Sequence, residues 1–259
     1  MAITIATSDS GGGAGIEADL KAFARCGVHG TAAIAGLTAQ NTLEVSSIET
    51  VSGEMIIAQV RAVAADIGID AVKIGMLADA ATIEAVVESL ALVGEAPVVH
   101  DPVMVAESGA VLLDPAAKRT LIETLLPQAA VATPNISEAR ELTGLGPEAG
   151  GEELARAVKG LGPAAAVVTG GHSDSGEDVF FDGQTLERIG GLRHPDGASH
   201  GSGCTHSSVL AAQLALGRSP LEAAREARRI AAEAVGAGLR DVGSGAGPVD
   251  VLGISARRR

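Results

Sequence analysis

Short apolar runs alternate with amphipathic stretches along almost the whole chain, and this alternation constrains the fold more than any other feature. The runs at 3–6, 31–38, 71–76, 97–102, 129–133 and 164–169 are rich in Val, Ile and Ala and nearly free of charge, as strands buried on both faces are. The stretches between them repeat apolar residues at helical spacing, with Ile16, Leu20 and Phe23 in the first and Ile56, Val60 and Val63 in the second. Further helices are expected at 80–92, at 114–126 (capped by Asp114, with Pro115 first), from Ser137-Glu138 onward, at 152–161, at 209–216 and at 220–237. The run at 45–51 adds a strand, and 178–181 with 185–189 makes a hairpin around Asp182-Gly183. Strand–helix alternation predicts an α/β fold with a mostly parallel central sheet covered on both faces. Such sheets bind ligands beyond the carboxyl ends of their strands. The positions to watch are therefore Asp9, Gln40, Met76, Asp101, Asn135 and Thr169. One domain is expected over 1–259, with 243–259 a glycine-rich connector and basic tail.

Composition excludes several classes of function. A net charge of −13 with only 19 Lys+Arg makes a nucleic-acid surface improbable, and 1% aromatic residues leave no stacking platforms for single strands. Polar or glycine residues interrupt every apolar run before it could span a membrane, and the first residues lack a secretory pattern. A cytoplasmic location is expected. Cys26 and Cys204 are too few and too far apart for a disulfide framework or a Cys-x-x-Cys metal site. The glycine loop after the first strand is not followed by an acid at the end of the next, where Ala39-Gln40-Asn41 stands, so dinucleotide binding is disfavoured. There is no Gly-x-x-x-x-Gly-Lys-Ser/Thr and no Gly-x-Ser-x-Gly.

The stretch His200-Gly201-Ser202-Gly203-Cys204-Thr205-His206 is a glycine-flanked turn that runs into an Ala/Leu-rich helix. Unpaired N–H groups and the helix dipole would attract an anion there, Gly201 and Gly203 would let it approach the backbone, and a helix start would lower the Cys204 thiol pKa. Among the strand ends, Asp101 and nearby Glu138 are oxygen donors suited to Mg²⁺, partly through water. Each also has a plain structural role available, as a turn residue before Pro102 and as a helix first-turn acid. An acid-and-amide set beside an anion cradle fits phosphoryl transfer, which needs positioning and charge compensation more than covalent chemistry.

Taken together, the stretches 8–21, 38–42, 73–77 and 101–104, Thr133-Pro134-Asn135, Gly170-Gly171-His172 and 200–205 resemble, in order and over nearly the whole chain, the hydroxymethylpyrimidine/phosphomethylpyrimidine kinases of the ribokinase superfamily. The resemblance implies a three-layer ribokinase-like α/β/α fold and ATP-dependent phosphorylation of 4-amino-5-hydroxymethyl-2-methylpyrimidine and then of its monophosphate, in thiamine biosynthesis. It implies that Asp19, Gln40, Met76 and Val103 bind the pyrimidine, that Gly201 and Gly203 form the anion hole, and that Cys204 is the base. Asn135, Thr169 and Gly171 would lie on the ATP side, with Asp101 and Glu138 serving Mg²⁺. A small-molecule substrate is the expected partner, and a homodimer is compatible with the fold. Three departures stand out: Thr7 where glycine is expected, Thr169 where a lysine near the transferred phosphates is usual, and Ala198-Ser199 in place of Asn-Thr. The alternatives are a pyridoxine/pyridoxal-type kinase of the same fold, a non-catalytic pyrimidine-binding regulator, and an enzyme using Cys204 as nucleophile with His200 or His206.

Overall fold

The computed structural model describes residues 1–106, 109–171, 176–195 and 197–254. Among them, nine strands make one sheet. From edge to edge these are β3 (Val45–Thr50), β2 (Gly30–Gln40), β1 (Ala2–Asp9), β4 (Ala71–Ile74), β5 (Val98–His100), β6 (Val131–Ala132), β7 (Ala165–Val168), β8 (Asp178–Phe181) and β9 (Leu186–Ile189). Pairing is parallel from β2 through β7 and antiparallel for β3 and for the β8–β9 hairpin. The hairpin turn is closed by Asp182, whose Oδ1 accepts from the N–H groups of Gln184 and Thr185.

Helices cover both faces. On one side lie α2 (Gly53–Asp66), α3 (Ala80–Leu90), α4 (Ala117–Thr120), α5 (Ile136–Thr143) and α6 (Gly151–Gly160), packed over Ile3, Ile5, Val72, Ile74 and Val168. On the other lie α1 (Gly15–Arg25), α7 (Ser202–Ala215) and α8 (Pro220–Gly236), packed over Ala2, Val99, Val131 and Val167. The long small-residue runs of α7 and α8 let these helices lie close to the sheet and to each other. Nine consecutive α7 residues from Thr205 to Gln213 are buried.

Two elements differ from expectation. The helix expected at 114–126 is broken into the four-residue α4, a π-helical stretch Leu121–Leu125 and a 3₁₀ turn Leu126–Gln128. Pro127 has no N–H to continue the α-helical ladder, and Asp114 caps a turn by accepting from Ala116 N–H at 2.9 Å. The helix expected at 209–216 begins at Ser202, so Gly203 and Cys204 lie inside its first turn. The stretch 243–248 is a seated strap: Thr42 Oγ1 accepts from the N–H groups of Ser244 and Gly245, and Pro248 pairs with His200. His172 and the arginines at 257–259 lie outside the described residues.

Strand order reverses at β1, whose neighbours β2 and β4 lead the chain to opposite ends of the sheet. A crevice opens beyond the strand ends at such a switch point.

Candidate active site

The six strand-end residues Asp9, Gln40, Met76, Asp101, Asn135 and Thr169 all line one cavity of about 570 Å³. Val103, Glu138, Gly171, Gly201, Gly203 and Cys204 line it too. Asp19 does not. It is fully buried on α1, where Oδ2 accepts from Thr4 Oγ1 at 2.6 Å and Oδ1 from Ser208 Oγ at 2.7 Å. Its carboxylate also lies 2.9 Å from Lys73 Nζ, itself without solvent exposure. The pair anchors α1 and α7 to β1 and β4 below the cavity, so direct contact with a pyrimidine is not what its position offers.

The carboxylate on the cavity wall at the end of β1 is Asp9. It accepts from the N–H groups of Gly11 (2.7 Å), Gly13 (3.0 Å) and Ala14 (2.8 Å), and lies 3.0 Å from His200 Nε2. Burial works against its charge, but His200 and these N–H groups outweigh it and hold the carboxyl below the usual range. Asp9 thus ties the glycine loop to the turn that starts α7. That contact explains two glycines: a Cβ on Gly13 would stand 2.1 Å from the His200 ring, and one on Gly201, at φ +82°, would stand 1.8 Å from Gly13 O. Glu17 braces the same corner, accepting from Ser8 Oγ at 2.6 Å and Asp9 N–H at 2.8 Å.

Gly201 caps α7, with Ser202 N–H bonded to Ser199 O and Thr205 N–H to Gly201 O. Gly203 and Cys204 between them donate no backbone hydrogen bond to another described residue, and a Cβ on Gly203 would meet nothing within 4 Å. Open space over unpaired N–H groups at a helix start is what an anion needs. The expected acidification of Cys204 is not found. Burial pushes its thiol up to about 12, with the carboxylates of Asp19 and Asp101 adding to the rise and Lys73 and the Gly15 N–H opposing it. In this setting the helix start is the weaker influence, because burial outweighs it and the charges of Asp19 and Asp101 add to burial.

Lys73 is the central cation of the site floor. Burial opposes its charge, yet Asp19, Cys204 and Asp101 together hold its ammonium above the usual lysine range. Sequence pattern placed it in a buried strand without assigning it a role. The signal was available: it is one of only four lysines in the chain and sits inside an otherwise apolar strand.

Asp101 is buried at the end of β5 and accepts from Ser207 Oγ at 2.9 Å. Burial raises its pKa, against the pull of Lys73 and Ser207. Glu138 forms a reciprocal cap with Asn135: Glu138 N–H donates to Asn135 Oδ1 and Asn135 N–H to Glu138 Oε2, each at 2.9 Å. Burial and the Asp101 carboxylate push Glu138 up to about 8. Two neighbouring carboxyl groups that resist ionising together suit a hard divalent cation, which would supply the missing positive charge. No group of three or more His, Cys, Asp or Glu able to hold a metal occurs among the described residues. Such a cation would therefore take its remaining ligands from water and phosphate. At the far end, Thr169 N–H donates to Pro134 O, and Ala231, Ala232 and Val235 of α8 offer an apolar wall. His206 Nε2 stands 2.9 Å from Asp178 Oδ2, but without the angle of a hydrogen bond.

A cavity with an apolar wall at one end, an anion cradle in the middle and acid and amide groups at the other defines a small-molecule phosphotransferase of ribokinase-like architecture. The comparisons make this specific: residues 9–250 match the family model described as phosphomethylpyrimidine kinase. The chain is 47% identical over 255 residues, covering 96% of each, to the hydroxymethylpyrimidine/phosphomethylpyrimidine kinase of Rhizobium meliloti (strain 1021). Its structure is similar to that of phosphomethylpyrimidine kinase from Clostridium difficile 630, with a TM-score of 0.77 and 38% identity over 88% of this chain and 95% of that one. It is also similar to the pyridoxal kinase of Staphylococcus aureus in complex with AMP-PCP and pyridoxal, with a TM-score of 0.87 and 32% identity over 99% of this chain and 94% of that one. The chain belongs to the phosphomethylpyrimidine kinase family.

Proposed function

We propose that this enzyme transfers the γ-phosphoryl of Mg·ATP to the hydroxymethyl group of 4-amino-5-hydroxymethyl-2-methylpyrimidine and then to the resulting monophosphate. The observation that carries the proposal is the convergence of Gln40, Met76 and Val103 with Cys204 and the bare Gly203 backbone on one cavity. An amide can pair with a ring nitrogen and an exocyclic amine, while Met and Val cover the ring face. The nucleotide would lie along α8, with Asn135, Thr169 and Gly171 beside it. Asp101 and Glu138 would hold Mg²⁺, whose charge would offset that of the phosphates.

In transfer, the N–H groups at the start of α7 stabilise the charge on the moving phosphoryl. As the phosphoryl arrives, the alcohol must give up its proton to a base within reach. Cys204 accepts that proton as a thiolate, the form that Lys73 favours and that burial, Asp19 and Asp101 oppose. The test is ADP formation with the pyrimidine, its monophosphate and pyridoxal as acceptors. Turnover of the first two is expected, with kcat reduced about 10²–10⁴-fold in Cys204→Ala. Turnover of pyridoxal alone would replace this assignment with the sister activity, and pyrimidine binding without ADP would point to a regulator.

A further inference from the structure

Two residues before the end of β1, at the acceptor end of the cavity, stands Thr7, which has been given no role above. The register between β1 and β2 shifts between Ala6 and Thr7, which sets Thr7 against Gly36. Thr7 is buried, lines the cavity and donates its hydroxyl to Met76 O at 3.1 Å. Its side chain fills the room a residue at 36 would use: a Cβ on Gly36 would lie 3.2 Å from Thr7 Oγ1 and 3.5 Å from Thr7 Cγ2. On another side Gly15 covers its carbonyl so closely that a Cβ there would come within 2.3 Å. β2, the start of α1 and the Met76 backbone therefore hold Thr7 in place, and a β-branched side chain bonded at its hydroxyl cannot swing aside.

We propose that Thr7 is a specificity-determining residue. Its hydroxyl fixes the Met76 backbone, and its bulk shortens the acceptor end of the cavity. The site thereby favours a lightly substituted aminopyrimidine over a more heavily substituted pyridine alcohol such as pyridoxal. The proposal rests on the pyrimidine being the acceptor. Changes the size of a methylene in a closed pocket shift discrimination by about 10–200-fold, and Thr7→Gly removes three heavy atoms.

The test is calorimetric binding of 4-amino-5-hydroxymethyl-2-methylpyrimidine and of pyridoxal to the full chain, which reads the wall independently of phosphoryl transfer. In Thr7→Gly the ratio of the two Kd values should move about tenfold or more toward pyridoxal. Thr7→Ala, which keeps the Cβ, should move it in the same direction, and Thr7→Ser, which keeps the bond to Met76 O, should restore most of the native ratio. Folded Gly and Ala variants with the native ratio but a lower Tm would make Thr7 a structural residue only and overturn the proposal. Native protein that binds neither alcohol would overturn the pyrimidine assignment itself.

Discussion

Lys73 illustrates how one side chain can govern the charge of a whole site. Its ammonium stands 2.9 Å from Asp19 on a floor with no exposure to water. Replacing it by Met would leave that carboxylate buried and unpaired, which costs about 3–5 kcal/mol where such pairs have been broken. Lys73→Met is therefore expected to lower the urea midpoint sharply. Lys73→Arg should not rescue it, because Nζ already lies 2.6 Å from where a Cβ on Gly75 would stand. A midpoint unchanged in Lys73→Met would mean the pair contributes nothing. At this scale the sequence was only partly legible. That Gln40, Asp101 and Thr169 would share a cavity followed from their places at strand ends, since the rule for open sheets depends on chain order alone. That Asp19 would turn down to Lys73, and that burial would push the Cys204 thiol up rather than let the helix start pull it down, depends on distances across three elements, and no local pattern carries those.

The turn that starts α7 separates two kinds of glycine. Gly201 is required by the fold: its φ is +82° and a Cβ would run into Gly13 O. Gly203 is under no such constraint, being helical with open space before it. Gly201→Ala should therefore lose both stability and activity. Gly203→Ala should keep or slightly raise Tm, as Gly→Ala does within helices by about 0.5–1 kcal/mol. Its kcat with ATP should nevertheless fall at least about tenfold, because the added methyl sits where the phosphoryl meets the backbone. Native kinetics in Gly203→Ala would dissociate this turn from the transfer step. The glycines themselves were legible as an anion cradle. The helix starts at 202 rather than at the expected 209, a difference that arises because Ser202, Gly203 and Thr205 are weak helix formers and the apolar spacing begins only after them.

At the scale of the molecule, buried titratable groups make stability depend on pH from both sides. His100 is fully buried on β5, and neither ring nitrogen makes a hydrogen bond of ordinary geometry among the described residues. Burial, with Lys73 nearby, pulls it down from 6.5 to about 3. Between those values the unfolded chain takes a proton that the native state refuses, so stability falls as pH falls through that window. Glu138 acts in the opposite sense: pushed up from 4.5 to about 8, it keeps a proton in the native state that the unfolded chain releases, so stability falls as pH rises through that window. Each contributes a slope of up to about 1.4 kcal/mol per pH unit where it acts alone. The two oppose each other between 4.5 and 6.5, which predicts a plateau there with a decline on either side. Asp101, raised by burial, adds to the loss as pH rises from 3.8, and Asp9, lowered by His200 and its N–H partners in spite of burial, adds to the loss as pH falls below 3.8. Urea unfolding across this range should show His100→Leu losing most of the acid decline and revealing the slope due to Glu138 from 4.5 upward. Glu138→Gln should flatten the alkaline side instead. Parallel curves for native protein and His100→Leu between pH 3 and 6.5 would mean that the imidazole reaches water, or a partner, on folding, and the balance described here would not hold.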